Sequence, residues 1–199
     1  MSDSDSEEGQ YSDFWISKFL RNKENLFLER IPDSFLLDKF NFHNLRESVD
    51  DFRDCYLALL DQGPSYNFPE ESKLYFLLHR RYIMFNSQGF EGILDKIKSK
   101  VFGVCPRYGC KEEPLIPVGL HNDFGKSKTK VFCNSCLCLY EPRGHLRKLD
   151  GCVWGTTYCP FVLLLKKYEF KRKNNKKYNL RLFGFDVELD ETLSVSSDE

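Results

Sequence analysis

From about Phe14 to Lys100 apolar residues recur at spacings of three and four, the period of helices that lay one face on a core. In SDFWISKFL, Phe14, Trp15, Phe19 and Leu20 gather near one face of a short helix, with Ser12 placed to cap its start. DSFLLDKFNF and NLRESVDDFRDCYLALLD follow, the second with Leu45, Val49, Phe52 and Tyr56 in helical register. DQGPSYNFPEE predicts a loop, after which Pro69, Glu70 and Glu71 suit the first turn of another helix, the acids facing the positive end of its dipole. That helix, EESKLYFLLHRRYIMF, is apolar on nearly every side and should lie centrally. FEGILDKIKSK closes the helical half. The pattern then changes: VFC (Val131–Cys133), LCLY (Leu137–Tyr140) and VWGTTY (Val153–Tyr158) are short β-branched and aromatic runs, broken by Gly, Pro and charge, and predict strands.

Composition supports a folded chain: 199 residues, 41% apolar and 15% aromatic. The net charge of −1 hides an asymmetry. Residues 1–97 carry 11 Lys/Arg against 18 Asp/Glu, residues 98–150 carry 10 against 5, and residues 151–199 carry 8 against 7. An acidic helical half followed by a basic cysteine-bearing segment points to two modules. The start, MSDSDSEEGQ, lacks the basic and apolar regions of a signal peptide, and FVLLL (Phe161–Leu165) stops at Lys166, far short of a membrane span. The expected setting is the cytoplasm and nucleus, with no membrane partner, where thiols stay reduced.

Reduced, clustered cysteines point to metal. Cys105 and Cys110 are separated by four residues, Cys133 and Cys136 by two, and 22 residues lie between the pairs. Each pair can form a tight knuckle, with Gly109 or the Asn134–Ser135 turn bending the backbone, and two knuckles supply the four thiolates of a closed structural zinc site. One structural Zn2+ per chain is the expected cofactor, suited to a segment too small to bury much apolar surface. The bland alternative is four small buried thiols. Cys138 is a possible competitor ligand, Cys55, Cys152 and Cys159 are expected core thiols, and His121 and His145 surface residues.

No catalytic apparatus is visible. Asp123-Phe124-Gly125 spells the magnesium-binding triplet of protein kinases, but the glycine-rich loop, strand lysine and catalytic-loop aspartate that must accompany it are missing, and Asn-Asp-x-Gly is ordinary turn chemistry.

CPRYGC, PLIPVGL (Pro114–Leu120), CNSC, DGCVWGTTYCP (Asp150–Pro160) and RLFGFDV (Arg181–Val187), in this order, resemble the casein kinase II regulatory (beta) subunit family. WISKFL, DKFNF and HRRYIMFNSQG (His79–Gly89) extend the resemblance, which covers roughly residues 11–189. It implies a non-catalytic subunit of an acidophilic Ser/Thr protein kinase, which dimerises through its zinc module and carries two catalytic (alpha) subunits in a two-plus-two tetramer, stabilising them and directing the choice of protein substrates. It also implies that Cys105, Cys110, Cys133 and Cys136 hold the zinc, that Pro106, Tyr108 and Leu139 make dimer contacts, and that Ser2 and Ser4, each with an acid three residues on, are phosphorylated. Ser196 is a weaker candidate of the same kind.

For Phe183 and Phe185 the residues alone leave two readings open: rings filling this chain's own core, or, on one strand, projecting together toward a partner. The resemblance implies the second, docking to the catalytic subunit. The expected fold is therefore α+β: an N-terminal all-helical domain (11–100), a small zinc-ribbon-like β domain with the dimer surface (101–165) and a C-terminal docking strand or hairpin (166–190), between acidic tails at 1–10 and 191–199.

Two departures stand out. DQGPSYNFPEE holds only Asp61, Glu70 and Glu71 where the family has a dense acidic loop, and KRKNNKK (Lys171–Lys177) is unusually basic. A nucleic-acid-binding zinc ribbon is the alternative function, disfavoured because the cations of residues 98–150 are scattered and no base-reading motif joins them.

Overall fold

A computed structural model describes residues 14–166, 169–170 and 181–186. Ser2, Ser4, Ser12, Ser196 and the Lys171–Lys177 run lie outside the described residues.

The helical half contains α1 (Trp15–Arg21), α2 (Asp33–Leu37), α3 (Phe52–Leu59), α4 (Phe68–Phe85) and α5 (Ser87–Lys98). Phe14 occupies the cap position of α1 without a side-chain cap, and the Trp15 N–H donates instead to Asp61 Oδ1 at 2.7 Å, a donor satisfied through tertiary structure. The helix expected across residues 44–61 is cut to α3. Asn44 (φ 60°) and Asp51 (φ 49°) adopt left-handed backbone, so the chain reaches α3 through turns while Leu45 and Val49 stay buried. α4 is central, as its all-round apolarity predicts. Its Glu71 lies in the first turn as expected and is also buried, accepting hydrogen bonds from Trp15 Nε1 (2.6 Å), the Ser65 hydroxyl and the N–H groups of Tyr66 (3.0 Å) and Asn67 (3.1 Å). One carboxylate thus ties α1 and the 65–67 loop to α4.

The second half is built on a three-stranded antiparallel sheet, β1 (Ile116–Val118), β2 (Lys130–Cys133) and β3 (Cys138–Tyr140), in that spatial order. Phe132 pairs with Ile116 on one side and Leu139 on the other. The strand expected at VWGTTY does not form. Gly151–Val153 is a 3-10 turn, Gly155 has φ 63°, and helix α6 (Tyr158–Leu165) begins where the run ends. A short apolar run does not distinguish a strand from a buried turn, and here Trp154 is wholly buried, its Nε1–H donating to Thr129 Oγ1 at 3.1 Å.

Within the second half, a Cβ on Gly119 would lie 2.0 Å from the Gly151 carbonyl oxygen, so only glycine permits the contact, which the Gly119 N–H to Gly155 O bond (3.0 Å) accompanies. The two halves meet closely at α4. His79 of α4, fully buried, accepts from the Glu29 N–H at Nε2 (3.0 Å) and faces the Val153 carbonyl with Nδ1 (3.4 Å), while its ring meets Trp154 edge-on. The buried side chains form one cluster from Trp15 to Phe170. Helices packed with a small antiparallel sheet make the fold α+β. Among the described residues no helix is long and apolar enough to cross a membrane.

Candidate metal centre and an exposed aromatic hairpin

The two knuckles form by different backbone means. In the first, the Cys110 N–H donates to Arg107 O (2.9 Å) and the Cys105 N–H to Glu113 O (2.8 Å), closing a loop whose left-handed residues are Lys111 and Glu112. Gly109, the expected bend, is not among the left-handed residues. In the second, Cys133 ends β2, Cys136 sits in the turn to β3, and Leu137 (φ 58°) takes the left-handed position, its N–H donating to Cys133 O at 2.9 Å.

These turns bring Cys105, Cys110, Cys133 and Cys136 together, their sulfurs all within 4.8 Å of one another. Cys105 Sγ lies 3.7 Å from Cys136 Sγ, and Cys133 Sγ lies 4.0 Å from Cys110 Sγ. A tetrahedral zinc ion with Zn–S bonds of about 2.3 Å requires sulfurs about 3.8 Å apart. Spacing and donor chemistry both fit a metal ion held by four thiolates, one ligand pair from each knuckle.

Burial opposes ionisation of Cys136, yet hydrogen bonds outweigh it, with Tyr140 Oη, 3.2 Å away, foremost, and the thiol comes down to about 6. Burial pushes Cys110 and Cys133 up. Tyr140 also approaches Cys105 Sγ at 3.7 Å; no cysteine spacing announces this hydroxyl, because it reaches the sulfurs from the end of β3. Cys138 stays outside the cluster and donates to the Cys136 carbonyl at 3.3 Å. Cys55, Cys152 and Cys159 are buried thiols, and His121 and His145 are exposed and apart. Asp123-Phe124-Gly125 forms a turn whose Gly125 N–H donates to Asp150 Oδ2 at 3.0 Å.

The knuckles carry exposed apolar side chains. Pro106 is exposed, Tyr108 is 87% exposed, Leu139 52% and Leu137 49%. A leucine in left-handed backbone costs roughly 1–2 kcal/mol that glycine would avoid, so nothing in the turn itself calls for Leu137.

The same argument is stronger at RLFGFDV. β4 (Arg181–Leu182) and β5 (Phe185–Asp186) form an antiparallel hairpin, pairing Leu182 with Phe185 and leaving Phe183 and Gly184 as a two-residue turn. Phe183 is therefore in the turn, not beside Phe185 on one strand as strand periodicity suggests. Both turn residues are left-handed, at φ 51° and 88°, a conformation that favours Asn-Gly or Gly-Gly. Phe183 nonetheless occupies the first position, with its ring 92% exposed, and Phe185 is 77% exposed. The rings do not fill the chain's own core.

A family model for the casein kinase II regulatory subunit matches residues 14–186. The chain is 32% identical over 184 residues to casein kinase II subunit beta' of Drosophila melanogaster, with 87% of this chain and 83% of the relative covered. It is 33% identical over 173 residues to a Suppressor-of-stellate-like protein of the same organism, covering 87% and 78%. To casein kinase II subunit beta of Schizosaccharomyces pombe it is 32% identical over 199 residues, covering 94% and 83%.

Proposed function

The chain belongs to the casein kinase II regulatory subunit family, a family of regulatory rather than catalytic subunits, and from that premise we propose that it is a scaffold carrying kinase catalytic subunits. The observation that supports this most directly is Phe183, an exposed ring held at a left-handed turn position where it serves no purpose in its own hairpin. With Phe185 it offers two aromatic anchors on a narrow support, the composition of a binding hot spot. Docking there stabilises the catalytic subunit and positions substrates.

In this reading residues 11–100 are the helical platform, 101–165 the zinc and dimer module, and 166–190 the docking segment. One zinc ion per chain joins the two knuckles and has no reactive part. The exposed apolar surface around Pro106, Tyr108, Leu137 and Leu139 meets a second copy, so that two regulatory chains carry two catalytic chains. Ser2 and Ser4 are phosphorylated by the attached kinase, and the complex acts in cytoplasm and nucleus.

The test is calorimetry of the full chain with a casein kinase II catalytic subunit, beside a Phe183→Ala/Phe185→Ala variant whose zinc content and size are checked. Tight binding by the parent, lost in a variant that keeps zinc and dimeric size, supports the reading. Equal binding by both moves the anchor elsewhere, and no binding by the parent refutes it.

A further inference from the structure

One face of α4 carries Lys73, Leu77, Arg80 and Arg81, spaced so that cations flank an apolar residue along the same side of the helix. The segments carrying Asn44–Ser48 and Asn122–Phe124 rise beside this face and enclose a groove of about 280 Å³. Its apolar part is chiefly the exposed Phe124 ring, stacked at 6.0 Å on Phe76, with the buried Leu45 and Leu77 behind. Its walls carry Lys73, Arg80 and Arg81 against the acid Asp123.

The two arginines are held in place without being neutralised. Arg80 Nη1 donates to the Asn122 carbonyl at 2.6 Å, and its stem fills the space left by Gly155, where a Cβ would lie 2.7 Å from Arg80 Cδ. Asn122 is itself fixed by the Thr156 N–H, which donates to Oδ1 at 3.1 Å. Arg81 Nη1 donates to the Asn41 carbonyl at 2.8 Å. Among the described residues neither guanidinium takes part in an ion pair, whereas Lys73 pairs with Glu70 at 3.1 Å. Each guanidinium has five N–H donors, so one bond to a carbonyl orients it and leaves the fork available. Burial disfavours the charge on both, and Arg80 adds repulsion at Arg81. Asp123 at the mouth offsets part of the charge on Arg80.

Neighbouring, oriented, partly buried guanidiniums without a carboxylate partner match a dianion with several acceptor oxygens. We propose that this groove binds a phosphorylated side chain of a protein segment, Arg80 and Arg81 holding the phosphate, Lys73 adding charge, and the exposed Phe124 ring taking the residue beside it. That ring separates a peptide from free phosphate, which has nothing to place against it. The single compact groove argues against nucleic acid, whose affinity rests on a row of phosphate contacts. That the ligand is a phosphoprotein rests on the regulatory reading above, since phosphoproteins are what a protein kinase makes; the anion groove itself does not.

The test is fluorescence anisotropy on the zinc-loaded full chain, with a labelled peptide bearing one phosphoserine beside a leucine, its unphosphorylated twin, inorganic phosphate and a short single-stranded oligonucleotide. The phosphopeptide should bind at least about tenfold more tightly than its twin, and Arg81→Gln should remove about tenfold. Arg80→Lys should weaken binding similarly; because Arg80 also packs against Gly155, Arg81→Gln is the deciding variant. Catalytic-subunit binding, measured on the same samples, should be unchanged by Arg81→Gln. Equal binding of the two peptides, an Arg81→Gln chain that binds normally, phosphate alone as tight as the phosphopeptide, or an oligonucleotide that binds more tightly through the same arginine would each overturn the proposal. A parent chain that binds the phosphopeptide but no catalytic subunit would leave the groove standing and refute the docking reading.

Discussion

At the scale of single residues, side chains in backbone positions that do not suit them reveal most. Phe183 strains its turn and exposes its ring, so folding and binding should respond in opposite directions to its replacement. Phe183→Asn gives a two-residue hairpin its preferred Asn-Gly turn. The hairpin amides should then exchange more slowly in the isolated chain, while calorimetry should show at least a tenfold loss of catalytic-subunit affinity. Slower exchange with unchanged affinity would remove Phe183 from the interface. His79 speaks to pH. Burial, with Lys96 adding to it, brings its pKa down to about 3 against an ordinary value near 6.5, and the neutral ring bridges Glu29 to Val153. The folded state therefore excludes the proton. Stability from this group is complete above pH 6.5 and falls as pH drops toward 3, by up to about 1.4 kcal/mol per pH unit. His79→Gln should be less stable at pH 7 yet lose this part of the slope, read by urea denaturation across pH 4–7 against the parent.

At the scale of elements, the sheet is joined to the 151–155 turn, which packs on α4, by backbone contacts rather than by any one side chain. Gly119, just after β1, lies against Gly151 and Gly155 too closely for a methyl group. Gly119→Ala must push the 151–155 turn away, disturbing Trp154 and its bond to Thr129. Destabilisation by about 3 kcal/mol or more is expected in thermal or urea melts, beyond the usual range for a surface substitution. A change below 1 kcal/mol would mean that the turn yields easily and that the close approach is not a joint. This contact accounts for the glycines of PLIPVGL and DGCVWGTTY, and for a turn where the apolar run VWGTTY predicts a strand. The glycines are visible in sequence, but the contact that requires them links residues far apart.

For the whole molecule the cysteine cluster brings two knuckles together in a half whose strands are only three or four residues long. Removing metal with a strong chelator at neutral pH should loosen the sheet half, because structural zinc supplies about 10–16 kcal/mol of apparent folding free energy in small sites. Loss of sheet amide protection and of dimeric size, restored by added zinc, is the expected outcome; a chain that keeps both without metal would make the thiols ordinary core residues. The four cysteines that cluster, the central helix α4 and the α+β class were legible in sequence, since cysteine spacing and helical periodicity are local properties that survive without knowledge of neighbours. Left-handed Asn44 and Asp51, which shorten α3, and the turn that buries Trp154 were not, because local periodicity continues through them and only packing decides the backbone. Nor was the groove on α4: its arginines are adjacent in sequence, but their orientation depends on the carbonyls of Asn41 and Asn122, roughly forty residues to either side. Local chemistry and period were thus determined by the chain itself, while exposure, turn geometry and the pairing of distant groups were decided only when the tertiary structure chose which surfaces to bury.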